Sequence, residues 1–149
     1  MEKIIREVKE KDSPAIWKIR NHPANRRWFN TTEAIGFDSH DQWFENKYFK
    51  DKANKCFVLQ LSEKIAGYGR FDLSDGYYLI SIALDPEHQG RGLGNELLSG
   101  ALKLLGRGKD ILAEVKKKNQ ASLKLFEKNK FYKYKEDEEN IYLKYMPEA

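Results

Sequence analysis

Ile80-Ser81-Ile82-Ala83-Leu84-Asp85-Pro86-Glu87-His88-Gln89-Gly90-Arg91-Gly92-Leu93-Gly94 is the stretch that decides the fold. It opens as a strand fit for burial, turns at Asp85-Pro86, and becomes a glycine-rich loop that leads straight into a helix. Glycines let the backbone come close to an anion. The first N–H groups of a helix have no internal partner and point outward, and the helix dipole adds positive potential at the same place. The order strand, loop, helix is the context in which a glycine motif builds a pyrophosphate cradle.

Three phosphate-binding patterns compete for these residues. A P-loop ends in Gly-Lys-Ser or Gly-Lys-Thr, whereas Gly94 is followed by Asn95 and Glu96. A dinucleotide fingerprint needs two residues between its second and third glycines, and Gly90, Gly92 and Gly94 alternate instead. The pattern that fits is Gln-x-x-Gly-x-Gly, written Gln89-Gly90-Arg91-Gly92-Leu93-Gly94. Taken alone, six residues also allow a glycine-rich helix entry that binds nothing. The later sequence narrows the choice. Asp110-Ile111-Leu112-Ala113-Glu114-Val115 reads as a short strand, and Asn119 opens a helix that runs through Phe126 to Phe131. Together the two segments resemble the signatures of the GNAT superfamily of acetyl-CoA-dependent N-acetyltransferases, in order and in spacing. The resemblance spans roughly Lys3 to Tyr145 and is specific between Ile80 and Phe131. Two positions depart from it: Phe126 stands where the family usually has tyrosine, and Lys130 where it usually has glycine.

The chain has 149 residues, one domain's worth, and is long enough for its own core. No stretch is apolar for long enough to span a membrane, and Met1 to Arg6 lacks the apolar run of a signal peptide. With Cys56 as the only cysteine, an internal disulfide is excluded and a cytoplasmic location is expected. Within Lys55-Cys56-Phe57-Val58-Leu59, Cys56 reads as a small core residue. The net charge of +4 admits a nucleic-acid partner. The lysines are scattered among acids, however, and the run Lys116-Lys117-Lys118 reads as a solvated strand end; no nucleic acid is expected. His22, His40 and His88 lack metal-ligand spacing, so no metal is expected and each reads as a surface or turn residue.

Lys3 to Val8 alternates as a first strand. Asp12-Ser13-Pro14 starts a helix from about Ala15 to Asn21, with Asp12 or Ser13 as cap. A loop from Asn25 to Phe37 precedes a second helix that begins near Asp38 or Ser39 and carries Trp43, Phe44, Lys47 and Tyr48 at helical spacing. Strands at about Cys56 to Leu61, Ile65 to Phe71 and Tyr77 to Leu84 are divided by Ser62-Glu63-Lys64 and Ser74-Asp75-Gly76, which predicts an antiparallel meander. A helix from Arg91 to about Leu105, the strand at Ile111, the helix from Asn119 and two closing strands complete the list. The expected fold is a mixed α/β sheet, mostly antiparallel, with helices on both faces. The resemblance implies this same order, with the strands at Ile82 and Ala113 splaying apart to admit a pantetheine arm.

Acyl transfer to an amine needs a neutral amine and stabilisation of the oxyanion, usually by backbone N–H groups. Glu114 is the candidate base. Alternation puts it opposite Ala113 and Val115 in a sheet covered on both sides, where desolvation would raise a carboxyl pKa toward a useful range. A structural carboxylate paired with arginine or lysine is the alternative, and Glu87 is a weaker candidate. Phe126 cannot donate a proton, so Tyr132, Tyr68 or a water would have to serve, unless the thiol leaves unaided as a thiolate. The favoured reading of Phe126 is a core residue. Capping accounts for Asn119 at its helix start.

The resemblance implies acetyl-CoA as co-substrate. It would be held by the backbone of Ile82, Ala83 and Leu84, the loop Gln89, Gly90, Arg91, Gly92, Leu93 and Gly94, and by Asn119 and Phe126. The acceptor should be written in the first third, where Arg20-Asn21, Arg27-Trp28-Phe29-Asn30 and His40 to Phe44 mix arginines with aromatics. This resembles enzymes that acetylate nucleotide-linked amino sugars, as in pseudaminic-acid or surface-polysaccharide pathways. On that reading Arg20, Asn21, Trp28, Phe29 and Trp43 bind the acceptor, with arginines on a pyrophosphate and aromatic faces on a base or sugar. Packing is the alternative for Trp17, Trp28 and Trp43. Two other readings remain open: a protein N-terminal acetyltransferase of the ribosomal-protein type, and a coenzyme A-binding module with little catalysis. A monomer or homodimer is expected.

Overall fold

The computed structural model describes residues 2–148. Seven strands form one sheet: β1 (Lys3–Glu7), β2 (Lys55–Leu61), β3 (Lys64–Ser74), β4 (Tyr77–Leu84), β5 (Ile111–Lys116), β6 (Phe131–Glu136) and β7 (Asn140–Tyr145), in the spatial order β1-β2-β3-β4-β5-β7-β6. Only β4 and β5 run parallel; the other neighbours are antiparallel. The meander is held by tight turns. Asp75 and Gly76 both take positive φ, 48° and 84°, as the commonest two-residue hairpin requires.

The parallel pair is short. Tyr78, Leu79 and Ile80 pair with Ile111, Leu112 and Ala113, and the pairing stops there. Beyond Ile80 and Ala113 the strands part, so Ile82 to Leu84 present a backbone edge without a β5 neighbour. This is the expected splay, and it lies at the carboxyl ends of the parallel pair β4 and β5.

The helices are α1 (Ser13–Asn21), α2 (Pro23–Arg26), α3 (Phe37–Glu45), α4 (Leu93–Leu105) and α5 (Gln120–Lys128). One core lies between α4, α5 and one sheet face: Leu98, Ala101 and Phe126 meet Ile80, Ala113 and Val115. A second, under α1 and α3, gathers Ile16, Ile19, Phe44, Tyr48, Val58 and Tyr68 on the opposite face. Helices therefore cover both faces, as the sequence pattern predicts.

Several local expectations need correction. The segment from Asn25 to Phe37 is not all loop: Pro23–Arg26 is a helical turn, with the His22 ring Nδ1 accepting the Ala24 N–H at 3.0 Å, and α3 starts at Phe37. α4 starts at Leu93 rather than Arg91 because Gly92 is left-handed, at φ 77°. Asp12 does not cap α1. Its carboxylate accepts the Lys9 N–H at 2.8 Å and N–H groups of both terminal Arg6 guanidinium nitrogens at 2.8 and 3.0 Å, which ties the start of α1 to β1. His40 is not a surface residue; it is fully buried, stacked on Phe44 at 5.8 Å.

Candidate active site

The splay opens into a cleft of 560 Å³ between β4, the glycine loop and the start of α5. Ile82, Ala83 and Leu84 form one wall, Gln89, Gly90, Gly92 and Gly94 the base, and Asn119 to Ser122 the other wall. Gly90 and Gly92 hold φ of 78° and 77°, where a side chain would strain the turn. Among the described residues, no amide from Gly90 to Asn95 has a protein hydrogen-bond partner. The first amide to close on the helix is Glu96, to Gly92 at 3.3 Å. Consecutive unpaired N–H groups at a helix start form an anion site, so the residues present fit the pyrophosphate of a coenzyme.

Side chains tie the walls together. Asn119 Oδ1 accepts the Ser122 N–H at 3.2 Å, which is the predicted cap. Asn129 Nδ2 donates to Asn95 Oδ1 and to the Leu125 carbonyl, both at 2.9 Å, fastening α5 to the first turn of α4. Gln89 Nε2 donates to Asn25 Oδ1 at 3.2 Å and to the Leu84 carbonyl at 3.3 Å. The Leu84 carbonyl also accepts from Asn25 Nδ2 at 2.9 Å, so it is taken; Ala83 faces β3, and the Ile82 N–H and carbonyl with the Leu84 N–H are left on the open edge. Arg91 is exposed and Leu93 is buried, and neither lines the cleft with its side chain.

A second pocket of 330 Å³ joins the cleft through Trp28 and Phe29, which line both. Its floor is Ile80, Ser81 and Glu114, and Arg20, Arg26 and Arg70 stand around it. Glu114 is half-buried, on the face opposite Ala113 and Val115 as alternation predicts. Among the described residues it makes no ion pair, so the alternative of a structural salt bridge finds no partner here. Asn21 Oδ1 accepts the Ile35 N–H at 2.8 Å and holds the loop over the pocket.

The three guanidinium groups are not equivalent. Arg70 is paired with Asp72, which also accepts the Tyr48 hydroxyl at 2.7 Å. Among the described residues Arg20 has no carboxylate partner; its one side-chain hydrogen bond is to His40 Nδ1 at 3.2 Å, and its pKa is lowered by burial and by Arg70. Burial, and then Arg20, push the His40 imidazole down to about 4, so it is neutral and its Nδ1 accepts from Arg20.

Four expected site residues are placed elsewhere. Trp43 does not line the pocket; it packs behind it, with the Arg20 and Arg70 guanidinium carbons 4.2 and 5.3 Å from its ring centroid. Phe126 does not reach the cleft: it is 3% exposed and packs edge-on against Phe131 at 5.0 Å, leaving Leu125 to line the wall. Tyr132 lies exposed on edge strand β6, and Tyr68 is buried, its hydroxyl pushed up to about 12 chiefly by burial. Sequence reasoning also missed Asn25, Arg26, Arg70 and Ser81. Only Ser81 carried a signal, as a polar residue inside an apolar strand. Among the described residues, no three His, Cys, Asp or Glu side chains are placed to hold a metal.

A splayed sheet with an amide cradle at one end and a carboxylate pocket at the other defines an acyl-coenzyme A transferase architecture. The chain belongs to the acetyltransferase (GNAT) family, whose family model matches residues 14–131. It is 30% identical over 143 residues to acetyltransferase PseH of Campylobacter jejuni, covering 92% of this chain and 87% of that one. The crystal structure of Campylobacter jejuni N-acetyltransferase PseH in complex with acetyl coenzyme A superposes with a TM-score of 0.71 at 22% identity, over 99% of this chain and 100% of that chain. A ribosomal-protein-alanine N-acetyltransferase from Brucella melitensis superposes with a TM-score of 0.79 at 18% identity, over 95% and 98%. At these identities the two solved structures share the fold.

Proposed function

We propose that the acceptor of this acetyl-CoA-dependent N-acetyltransferase is the primary amine of a nucleotide-linked amino sugar. One observation carries the reading: Arg20 and Arg26 line the pocket beside Glu114 without any carboxylate partner among the described residues. A guanidinium taken from water needs an anion or hydrogen-bond acceptors in return. A pyrophosphate supplies both, and it is the part of such an acceptor that lies next to its sugar.

The chain's own groups divide the work. The amides of Gly90 to Asn95 hold the coenzyme's pyrophosphate, and the open edge at Ile82 and the Leu84 N–H pairs with its pantetheine amides. The bound coenzyme supplies an electrophilic thioester carbonyl. Glu114, on the floor of the acceptor pocket, takes the proton of the attacking amine directly or through water. Trp28 and Phe29 stack on the acceptor, while Arg20, Arg26 and Asn21 orient it. No tyrosine reaches the cleft, so the thiolate leaves with a proton from water or leaves unprotonated, as a thiol with a pKa of about 8.5 permits. Residues 1–149 are read as one catalytic domain, working in the cytoplasm as a monomer or homodimer. The continuous seven-stranded sheet supports the first part, and the single, buried cysteine agrees with a reducing compartment.

The test is calorimetric titration with acetyl-CoA and coenzyme A, followed by an acceptor screen of nucleotide-linked amino sugars, free amino sugars and N-terminal peptides. Turnover that requires the diphosphate is the expected result. Equal turnover of the free sugar would remove the pyrophosphate reading, and acetylation of peptides alone would replace it with the protein N-terminal activity.

A further inference from the structure

Asn25 is one of the few polar side chains the fold buries, at 6% exposure, and its role in transfer is not explained by contact with the reacting atoms. It sits in α2, within the strap of residues 23–29 that forms the wall shared by the cleft and the acceptor pocket. Nδ2 donates to the Ile19 carbonyl at the end of α1 and to the Leu84 carbonyl at the end of β4, both at 2.9 Å. Oδ1 accepts from Gln89 Nε2 at 3.2 Å, and that same nitrogen reaches the Leu84 carbonyl at 3.3 Å. Asn25, Leu84 and Gln89 thus close a triangle of hydrogen bonds. Its orientation is fixed: a flipped amide would set an oxygen against two carbonyls.

The triangle joins two sites. Gln89 opens the glycine loop, and the strap carries Trp28 and Phe29. On its other side the strap is held by Lys116 Nζ, which donates to the Arg27 carbonyl at 3.1 Å from the end of β5. The strap therefore bridges the splay, pinned to β4 by a buried amide and to β5 by a half-buried lysine. The β4 pin is the one that touches the coenzyme loop.

We propose that Asn25 is a positioning residue that couples the two sites: ordering of the glycine loop by the coenzyme fixes Gln89, which locks the strap through Asn25 and completes the acceptor wall. The inference rests on the reading of the cleft as the coenzyme site and of the adjoining pocket as the acceptor site. The coupling is carried by one hydrogen bond, from Gln89 to Asn25, and a bond of that kind corresponds to about a fivefold change in an equilibrium. By reciprocity, locking the strap tightens coenzyme binding by the same factor.

Trypsin cleavage after Arg26 and Arg27 reports strap opening, because those bonds close the helical turn that the buried Asn25 anchors. The rate is measured by mass spectrometry with and without saturating coenzyme A, with affinity measured in parallel by calorimetry. In the wild-type protein coenzyme A slows cleavage. Asn25→Asp replaces the donor by an oxygen facing two carbonyls, so cleavage without coenzyme rises at least about tenfold, and the protective effect of coenzyme is lost. Gln89→Ala leaves the Asn25 anchor to Leu84 and Ile19 intact. It therefore opens no more than about fivefold faster than wild type without coenzyme, and gains less protection than wild type at saturation. Should Asn25→Asp fail to fold, Gln89→Ala decides alone. Equal protection of wild type and Gln89→Ala at saturation would mean that coenzyme shields the strap by contact, and the inference falls. Wild-type protein that binds no coenzyme A overturns the cleft reading and the inference together; binding without these differences overturns the inference only.

Discussion

Lys130 holds φ at 67° where α5 gives way to β6, in the left-handed region that a β-carbon makes unfavourable. The resemblance to a family with glycine at this position thus has a backbone reason. Replacing Lys130 with glycine should stabilise the fold by about 0.5–1 kcal/mol, seen as a rise of about 1–4 °C in Tm. A fall in Tm would mean that the Lys130 ammonium bond to the Pro147 carbonyl, 3.3 Å, outweighs the backbone strain. Glu114 is the residue on which the chemistry turns. Its half-buried place beside Ser81 was legible because strand alternation fixes which face a side chain takes. Glu114→Gln keeps that shape without a basic oxygen, so kcat/KM should drop by about 10²–10³-fold while coenzyme affinity holds. Unchanged kcat/KM from about pH 6 to about pH 9 would remove the base role. Phe126 and Trp43 show where residue-level reading stops. Both are aromatic residues near motifs, and a sequence does not say which neighbour fills the space beneath a ring. The structure puts Phe126 on Phe131 and Trp43 under two guanidinium groups.

At the scale of elements, the end of β4 sets the width of the cleft, and β3 sets the end of β4. Gly67 pairs with Leu84, and a β-carbon on it would lie 2.9 Å from the Ala83 carbonyl oxygen and 2.5 Å from Leu84 Cδ2. The flexible Leu84 tip can swing aside; the backbone oxygen cannot without moving the strand. Gly67→Ala should therefore push Ala83 and Leu84 toward the cleft and weaken coenzyme A binding about tenfold in a calorimetric titration. Gly69→Ala is the matched control, since its nearest atom would be Ala101 Cβ at 4.0 Å. Equal effects from both would point to general destabilisation rather than cleft geometry. The β4 boundaries were readable from sequence because Asp75-Gly76 and Asp85-Pro86 punctuate an apolar run. The helical turn at Pro23–Arg26 was not, since four residues show no periodicity, and what makes it a strap is the Asn25 bond to Leu84, 59 positions away.

For the whole molecule, a seven-stranded sheet with helices on both faces was readable, because it follows from the order of periodic segments. The polar cluster behind the acceptor pocket was not. It brings His40 from α3, Arg20 from α1 and Arg70 from β3 into one place, and only the tertiary fold selects those partners. That cluster gives the protein a distinctive response to acid. His40 is fully buried and neutral, lowered from 6.5 to about 4 chiefly by burial, then by Arg20, with Arg70 adding to it and Asp41 and the Ser13 backbone opposing. In the unfolded chain this histidine takes up a proton near its ordinary value, while in the fold it does not. The unfolded state then binds more protons, and stability falls as pH drops from 6.5 to about 4, by about 3 kcal/mol from this group. Below that range the folded histidine protonates as well and its contribution levels off. Asp12 acts in a separate window. Burial alone would raise its carboxyl, but the Arg6 guanidinium and the Lys9 amide hold it below its ordinary 3.8. Its contribution is complete above 3.8 and is lost as pH falls through the lowered folded value. Urea unfolding at about pH 7.5, 5 and 4 should therefore show a decline well above the carboxylate range. The same series on His40→Gln should flatten that decline and leave the lower, Asp12-dependent loss in place. A wild-type curve that is level between about pH 6.5 and 4 would show that His40 gains its proton without leaving the fold, and that Arg20 can turn from it toward the pocket.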